Sequence, residues 1–266
     1  MIPKETNNIL YHYTSVETLY KIFHNQENGY IKLRANFFMN MNDPLDCRYL
    51  INEISRLANK GNDSYAKINY DNAIKNAGIP YFISFSSKGD DLPMWKMYGD
   101  NGHGVVIGFD RNEIEKSTQN YQKRGAQDDI LIAKQCFCKL YDCKYWNIND
   151  IKTEYWDKYF RREKESLLTI QDIAVISYLV KSPYYHYEDE TRVVFLYTPS
   201  NKPAPDFINF HVPINSIKII KAGPCIDVDY IKTFIPDCLK ENVLKSNIPY
   251  TDMPRYVSPD SFLIIG

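Results

Sequence analysis

Apolar positions recur with period two in some stretches and with period 3.6 in others, which divides the chain into interleaved strands and helices. Ile9-Leu10-Tyr11-His12-Tyr13-Thr14 predicts a first strand with Leu10, His12 and Thr14 on one face, because side chains alternate along extended backbone. Ser15 is placed to cap a helix whose apolar positions, Val16, Leu19, Tyr20 and Phe23, follow helical spacing, and Asn28-Gly29 predicts its stop. Tyr30 to Leu33 predicts a short strand. Asn42-Asp43-Pro44 then predicts a turn, since Asn and Asp bond their own backbone and proline drives the preceding residue out of the helical region. Two helices, over 45–60 and 64–77, are expected to follow. Residues 81–86 predict a strand with Ser84 and Ser86 on one face and Ile83 and Phe85 on the other, and residues 92–98 a short helix with Trp95 and Tyr98 on one side.

Further along, residues 103–109 predict a strand, with Asp110 capping the helix that follows. Residues 116–129 are polar and aperiodic, so a mobile loop is expected there. A strand over 135–141 leads to a helical region over 150–180, where Tyr155, Tyr159, Leu167, Ile170 and Ile173 are available for burial. Strands are expected over 190–197, 207–212, 216–220 and 262–265, and a helix over 227–242. Strands and helices mix without strict alternation. That order predicts an α+β fold over 1–266, a single domain with a central mixed or antiparallel sheet, flanking helices and a helical insertion around 45–77.

Composition adds little to this pattern. Twenty-two tyrosines and 13 phenylalanines against 11 glycines favour a sheet-rich interior with amphipathic ring edges. A net charge of -1 gives no global case for nucleic acid or a membrane surface. The first residues lack a secretory pattern and no run approaches the ~20 apolar residues that a bilayer requires, so a cytoplasmic protein without a membrane partner is expected. Six cysteines then read as reduced thiols. Cys136, Cys138 and Cys143 lack a second ligand pair at metal spacing, so a strand face is expected there and no metal.

Chemistry is concentrated in the stretch from Tyr185 to Phe195. Read as a strand, it would place Glu188, Glu190 and Arg192 on one face and Asp189, Thr191 and Val193 on the other. Two carboxylates roughly 7 Å apart, one beside a cation, have environments that separate their pKa values, as acid and base chemistry requires. His12, Thr14, Asn42, Asp43, Ser84, Ser86, Trp95 and Tyr98 are further candidates at strand ends or on element faces. Each also has a purely structural reading: a satisfied core histidine, packing spacers, core aromatics, a solvated strand edge with a salt bridge. No nucleophile elbow, phosphate-binding loop or dinucleotide glycine pattern opens a helix, and Gly102-His103-Gly104 precedes a strand instead of following one.

The chain resembles DUF2971, a prokaryotic family of unknown function. The likeness rests on Tyr11-His12-Tyr13-Thr14, Asn42-Asp43-Pro44, Phe85-Ser86, Met94-Trp95-Lys96-Met97-Tyr98, the run from Gly104 to Phe109, and Lys181 followed by Glu188-Asp189-Glu190-Thr191-Arg192. It spans nearly the whole chain, with Asp46 standing where the family more often has Glu. More distantly, the first strand with Leu19-Tyr20-Lys21-Ile22 behind it, the Ser-x-Ser strand and the late Glu-x-Glu are similar to the ADP-ribosyltransferase superfamily. That similarity implies an NAD-binding protein that transfers ADP-ribose to a nucleic-acid or protein acceptor, or hydrolyses NAD, in a toxin or anti-phage role. It implies Glu190 as the carboxylate that stabilises an oxocarbenium-like centre and Glu188 as the group that activates or selects the nucleophile. His12 would hold the adenine-side ribose, and Ser86 with Tyr98 or Trp95 would enclose nicotinamide. Arg192 would bind pyrophosphate or orient Glu190, and Tyr13, Thr14, Asn42 and Ser84 complete the NAD-contacting set. Two other readings stand beside it: a non-catalytic module whose Trp95, Tyr98 and acidic strand recognise a nucleotide or peptide, and a metal-dependent nuclease built on Asp43, Glu188 and Glu190. Catalysis on NAD requires His12 and Glu190 to face one cleft, which a binding module does not.

Overall fold

The computed structural model describes residues 8–40, 49–50, 52, 78–124, 136–147, 170–198 and 204–252. Its elements in chain order are β1 (Ile9–Thr14), α1 (Val16–His24), β2 (Tyr30–Phe37), β3 (Ile79–Ser86), α2 (Leu92–Tyr98), β4 (Val105–Asp110), α3 (Arg111–Arg124), β5 (Cys136–Asp142), β6 (Lys144–Tyr145), α4 (Ile170–Leu179), β7 (Val180–Lys181), β8 (Glu190–Tyr197), β9 (Phe207–Pro213), β10 (Ile217–Ala222), α5 (Val228–Lys232) and β11 (Val243–Lys245). Nine of these strands form one sheet in the order β11-β10-β4-β1-β3-β2-β9, with β8 paired to both β3 and β5. The ladders are antiparallel except β10 with β11, so the sheet is mixed and the fold α+β. The expected helices over 45–60 and 64–77, the Asn42-Asp43-Pro44 turn, Tyr155, Tyr159, Leu167 and the strand over 262–265 lie outside the described residues.

Alternation decides which side chains are inside. Leu10, Ile31, Leu33, Ile83, Phe85, Ile107, Phe109, Val193, Phe195 and Phe210 project from one face of the sheet into the main core. Leu19, Ile22 and Phe23 of α1 join that core, each worth roughly 1.5–3 kcal/mol relative to exposure. So do Ile114 and Tyr121 of α3, the latter edge-on to Phe195 at 5.2 Å. The opposite face is covered in two separate places. Met94 and Trp95 of α2 pack on Tyr11, Tyr13 and Val106, while Val175, Tyr178 and Leu179 of α4 pack on Phe82, Val194 and Leu196.

Four expectations are corrected. Residues 116–124 are the second half of α3, because Ile114, Ser117, Thr118 and Tyr121 bury an i, i+3, i+4, i+7 stripe that the surrounding polar residues disguise. Helix α1 ends at His24, where the Asn25 amide donates to the Lys21 carbonyl at 2.9 Å; Asn28-Gly29 instead forms a hairpin turn. Both residues have positive φ, 50° and 79°, as a two-residue turn of matching twist demands, and Glu27 and Tyr30 exchange backbone bonds across it. The helix expected over 227–242 is broken by Pro236, which separates α5 from a 3₁₀ segment at Asp237–Asn242. Finally, the acidic strand begins only at Glu190. Pro183–Glu188 is a 3₁₀ segment, and Asp189 turns the chain with a left-handed φ of 42°.

One irregularity in the sheet shapes its second face. Strand β3 is paired with β8 from Ile79 to Ser86, yet its other edge is divided: Ser86 pairs with Tyr11 of β1, while Phe82 and Tyr81 pair with Asn36 and Phe37 of β2. Strands β1 and β2 therefore diverge along β3, and residues 83–85 border the gap. The Gly102-His103-Gly104 segment closes the far end of β1. Gly104 donates to Gly99 O at 2.9 Å and accepts from Gly223 N–H at 3.0 Å. A Cβ at Gly104 would overlap the Thr14 and Gly99 carbonyl oxygens, so these glycines serve backbone packing. Gly104→Ala is accordingly expected to lower stability by about 1–3 kcal/mol in urea denaturation, whereas His103→Ala, at an exposed position beside it, changes stability by less than about 0.5 kcal/mol.

Candidate functional site

Between the two helical covers, on the face opposite the main core, lies a cavity of about 210 Å³. It opens where β1 and β2 diverge. Register places its wall residues: Tyr11 and Tyr13 of β1, Arg34 and Asn36 of β2, Phe82, Ser84 and Ser86 of β3 and Glu190 of β8 all project from this face. Tyr98 enters from the end of α2, Lys181 from β7 just after α4, and Tyr185 and Glu188 from the 3₁₀ segment.

Four charges cluster at its base, with Lys181, Glu188 and Glu190 lining it and Arg192 behind them. Lys181, Glu188, Glu190 and Arg192 are each at least 94 % buried. Arg192 holds Glu190 with two parallel bonds, Nε to Oε1 at 2.7 Å and Nη2 to Oε2 at 2.9 Å, and its Nη1 donates to the Tyr178 carbonyl at 2.8 Å. Lys181 Nζ bridges the carboxylates, reaching Glu190 Oε2 at 2.8 Å and Glu188 Oε2. Tyr98 OH donates to Glu188 Oε1 at 2.6 Å. Two cations and two anions make the cluster neutral, which is the condition for burying charge at tolerable cost.

The two carboxylates experience opposite pulls. Burial alone would raise both; at Glu190 the charges and bonds of Arg192 and Lys181 outweigh it and hold the pKa down at about 2. At Glu188 burial prevails, reinforced by the negative charge of Glu190, and the pKa lies above the ordinary carboxylate range despite Lys181 and Tyr98. Burial and the charge of Glu188 also push the Tyr98 phenol up, so it remains a donor. The separation expected of this pair is present, and Glu188 is its high member.

Backbone geometry explains how Glu188 reaches the cluster without being on a strand. The left-handed Asp189 reverses the chain so that Glu188 and Glu190 converge, Ser86 Oγ clamps the Glu188 carbonyl at 2.6 Å, and the Asp189 side chain faces outward to Ser87. His12 comes from the other side of the sheet. It shares the core face with Leu10 and sits 5.8 Å from the Phe85 ring, and it meets the cavity through the split between strands. Its Nδ1 lies 2.9 Å from the Ser84 carbonyl, which can only accept, so Nδ1 carries the proton. Burial lowers its pKa, leaving a neutral ring with Nε2 as acceptor.

Of the sequence candidates, His12, Tyr13, Ser84, Ser86, Tyr98, Glu188 and Glu190 line the cavity. Thr14, Trp95 and Arg192 do not. Trp95 is fully buried, edge-on to Tyr13 at 5.0 Å, and its indole N–H donates to Asp90 at 2.7 Å. Asp90 also accepts from Ser246 and Asn247, so Trp95 belongs to a strut that anchors α2 to the β11 end of the sheet. Thr14 is buried. Asn42 and Asp43 lie outside the described residues. Lys181 entered the sequence reading only as part of a motif and is central here; the lone lysine closing the apolar run Ile173–Val180 is the signal that marks it. Among the described residues no group of His, Cys, Asp and Glu is placed to hold a metal ion.

Fold and site together define an α+β protein with a charge-paired cleft between two helices on one face of a mixed sheet. Residues 94–193 match the model of a family described as a protein of unknown function, DUF2971. That stretch runs from Met94 of α2 to Val193 of β8 and so contains Tyr98, Lys181, Glu188, Glu190 and Arg192. No curated protein and no solved structure matches the chain. Among the described residues no helix is long and apolar enough to cross a membrane.

Removing one partner from a buried charge cluster leaves the others uncompensated. Arg192→Met is expected to cost roughly 3–5 kcal/mol in urea denaturation. The low pKa of Glu190 means that the folded state holds its proton less tightly than the unfolded chain. Its contribution is present above the ordinary 4.5 and is lost as pH falls toward about 2. Stability measured against pH should decline over that window, and Glu190→Gln should flatten the decline.

Proposed function

We propose that the cleft binds NAD and breaks the bond between nicotinamide and ribose, passing ADP-ribose to an acceptor or to water. The observation that carries this reading is convergence: His12 of β1, Ser86 of β3, Glu188 of the 3₁₀ segment and Glu190 of β8 line one cavity although 178 positions separate His12 from Glu190. At about 210 Å³ the cavity is smaller than the roughly 300–1,000 Å³ of typical ligand pockets, so it encloses one end of a dinucleotide and leaves the rest over the β2 side.

Within the pair the roles divide by electrostatics. Glu190 is neutralised by Arg192 and Lys181 and serves to hold Lys181 in place. Glu188, whose Oε1 faces Tyr98 and which has one cation beside it, is the carboxylate set against the ribose. Cleavage of the C1′–N bond sends its electron pair to the pyridinium nitrogen, which leaves as neutral nicotinamide. The oxocarbenium-like sugar is stabilised by the Glu188 carboxylate, and the attacking hydroxyl or water loses its proton to the same group. Tyr11, Tyr13 and Tyr98 wall the site and exclude water.

Purified protein is expected to release nicotinamide from NAD, with Glu188→Gln reducing the rate by 100-fold or more, on the order expected for loss of one stabilising group. Activity requires ionised Glu188, whose pKa is raised, so the rate should climb with pH through a limb above the ordinary carboxylate range. Binding of NAD without release by wild type would leave a nucleotide-binding module, and neither binding nor release would end the proposal.

A further inference from the structure

Arg192 is spent on Glu190 and Tyr178 and is fully buried, so it is not available to the phosphates of a ligand. Lys181 is bonded to both carboxylates. A nucleotide nevertheless brings negative charge, and among the described residues one further cation, Arg34, lines the cavity. Arg34 projects from β2 on the cleft face, is exposed, and has no carboxylate partner among the described residues. Its guanidinium carbon lies 4.3 Å over the ring of Phe207 on the neighbouring strand. That contact engages the cation through the ring face and uses none of its N–H donors. Asn36, two residues along the same face, and Asn40 also line the cavity, both exposed and with no side-chain hydrogen bond among the described residues.

We infer that Arg34, platformed on Phe207 and flanked by Asn36 and Asn40, is the phosphate-binding residue of the cleft, taking a phosphate or diphosphate group of the bound ligand. The assignment deepens the reading of the cleft as an NAD site and rests on it for the identity of the ligand, though not for the class of group bound. A guanidinium fork matches two phosphate oxygens at once, and the two amides offer further N–H donors on the same side. The two ends of the site then differ in kind. The closed end, floored by Lys181 and Glu188, meets the sugar, and the open end at Arg34 meets the anion.

Binding of inorganic pyrophosphate, ADP-ribose, NAD and phosphate-free nicotinamide riboside to wild type, Arg34→Gln and Phe207→Ala tests this by calorimetry. Arg34 is exposed, so Arg34→Gln should unfold at the wild-type temperature without ligand. It should weaken pyrophosphate and ADP-ribose roughly 10- to 100-fold and leave nicotinamide riboside unchanged, with Phe207→Ala showing a smaller loss of the same selectivity. If wild type binds NAD and Arg34→Gln binds ADP-ribose equally well, the assignment of Arg34 is overturned while the NAD reading stands. If wild type binds pyrophosphate through Arg34 but not NAD, the anion site stands and the NAD reading falls. Binding of neither overturns both.

Discussion

Charge neutrality in a dry place is the constraint on which the cleft depends. Lys181, Glu188, Glu190 and Arg192 are buried together, and removing any one leaves a net charge in a medium that solvates it poorly. Their geometry is therefore determined jointly. Glu190 must stay within reach of Arg192 two residues along the same strand and of Lys181 arriving from α4, and that fixes where α4 ends. Glu188 must follow Lys181, which forces the left-handed turn at Asp189. A strand, a helix terminus and a 3₁₀ segment are thus locked by one cluster.

The second constraint is the divided edge of β3. A strand with β8 along its whole length needs partners on its other side, and here two strands share that duty. Ser84 lies between the two pairings, and its carbonyl is satisfied by the His12 ring instead of a backbone rung. This is why a histidine whose strand position points it into the core nevertheless borders a cavity on the opposite face. The split gives access; the cluster supplies the floor.

Much of this was legible in the pattern of residues. Apolar and β-branched runs located β1, β3, β8 and β9, and the period-two geometry of extended backbone placed Ser84 and Ser86 on one face. Glu190 and Arg192 were visible as neighbours for the same reason. What was not legible depends on partners distant in sequence. The buried stripe of α3 is only four residues in a polar run, and periodicity weighs the run more heavily than the stripe. Trp95 and Tyr98 share a helix, yet one is tied to Asp90 and the other to Glu188, a distinction set by contacts with residues 246–247 and 188. Arg34 carries no local signal. Its place in the cleft follows from β2 pairing with β3 across more than forty intervening residues, and its orientation from β9.

The acidic pair shows how charge compensation, and not spacing, sets two buried carboxylates apart in basicity. Spacing alone treats Glu188 and Glu190 as equivalent, and the cation two residues after Glu190 draws attention to it. A bidentate guanidinium with an ammonium beside it makes a carboxylate a poor base and a weak electrostatic partner for a developing cation, since its field is already cancelled at short range. Glu188 shares the single cation Lys181 and accepts from Tyr98, so burial still lifts its pKa and it keeps the greater basicity of the two. Within the proposed reaction, the residue that looks best furnished in the sequence is for that reason the scaffold, and the neighbour lifted off the strand by Asp189 takes the part set against the ribose.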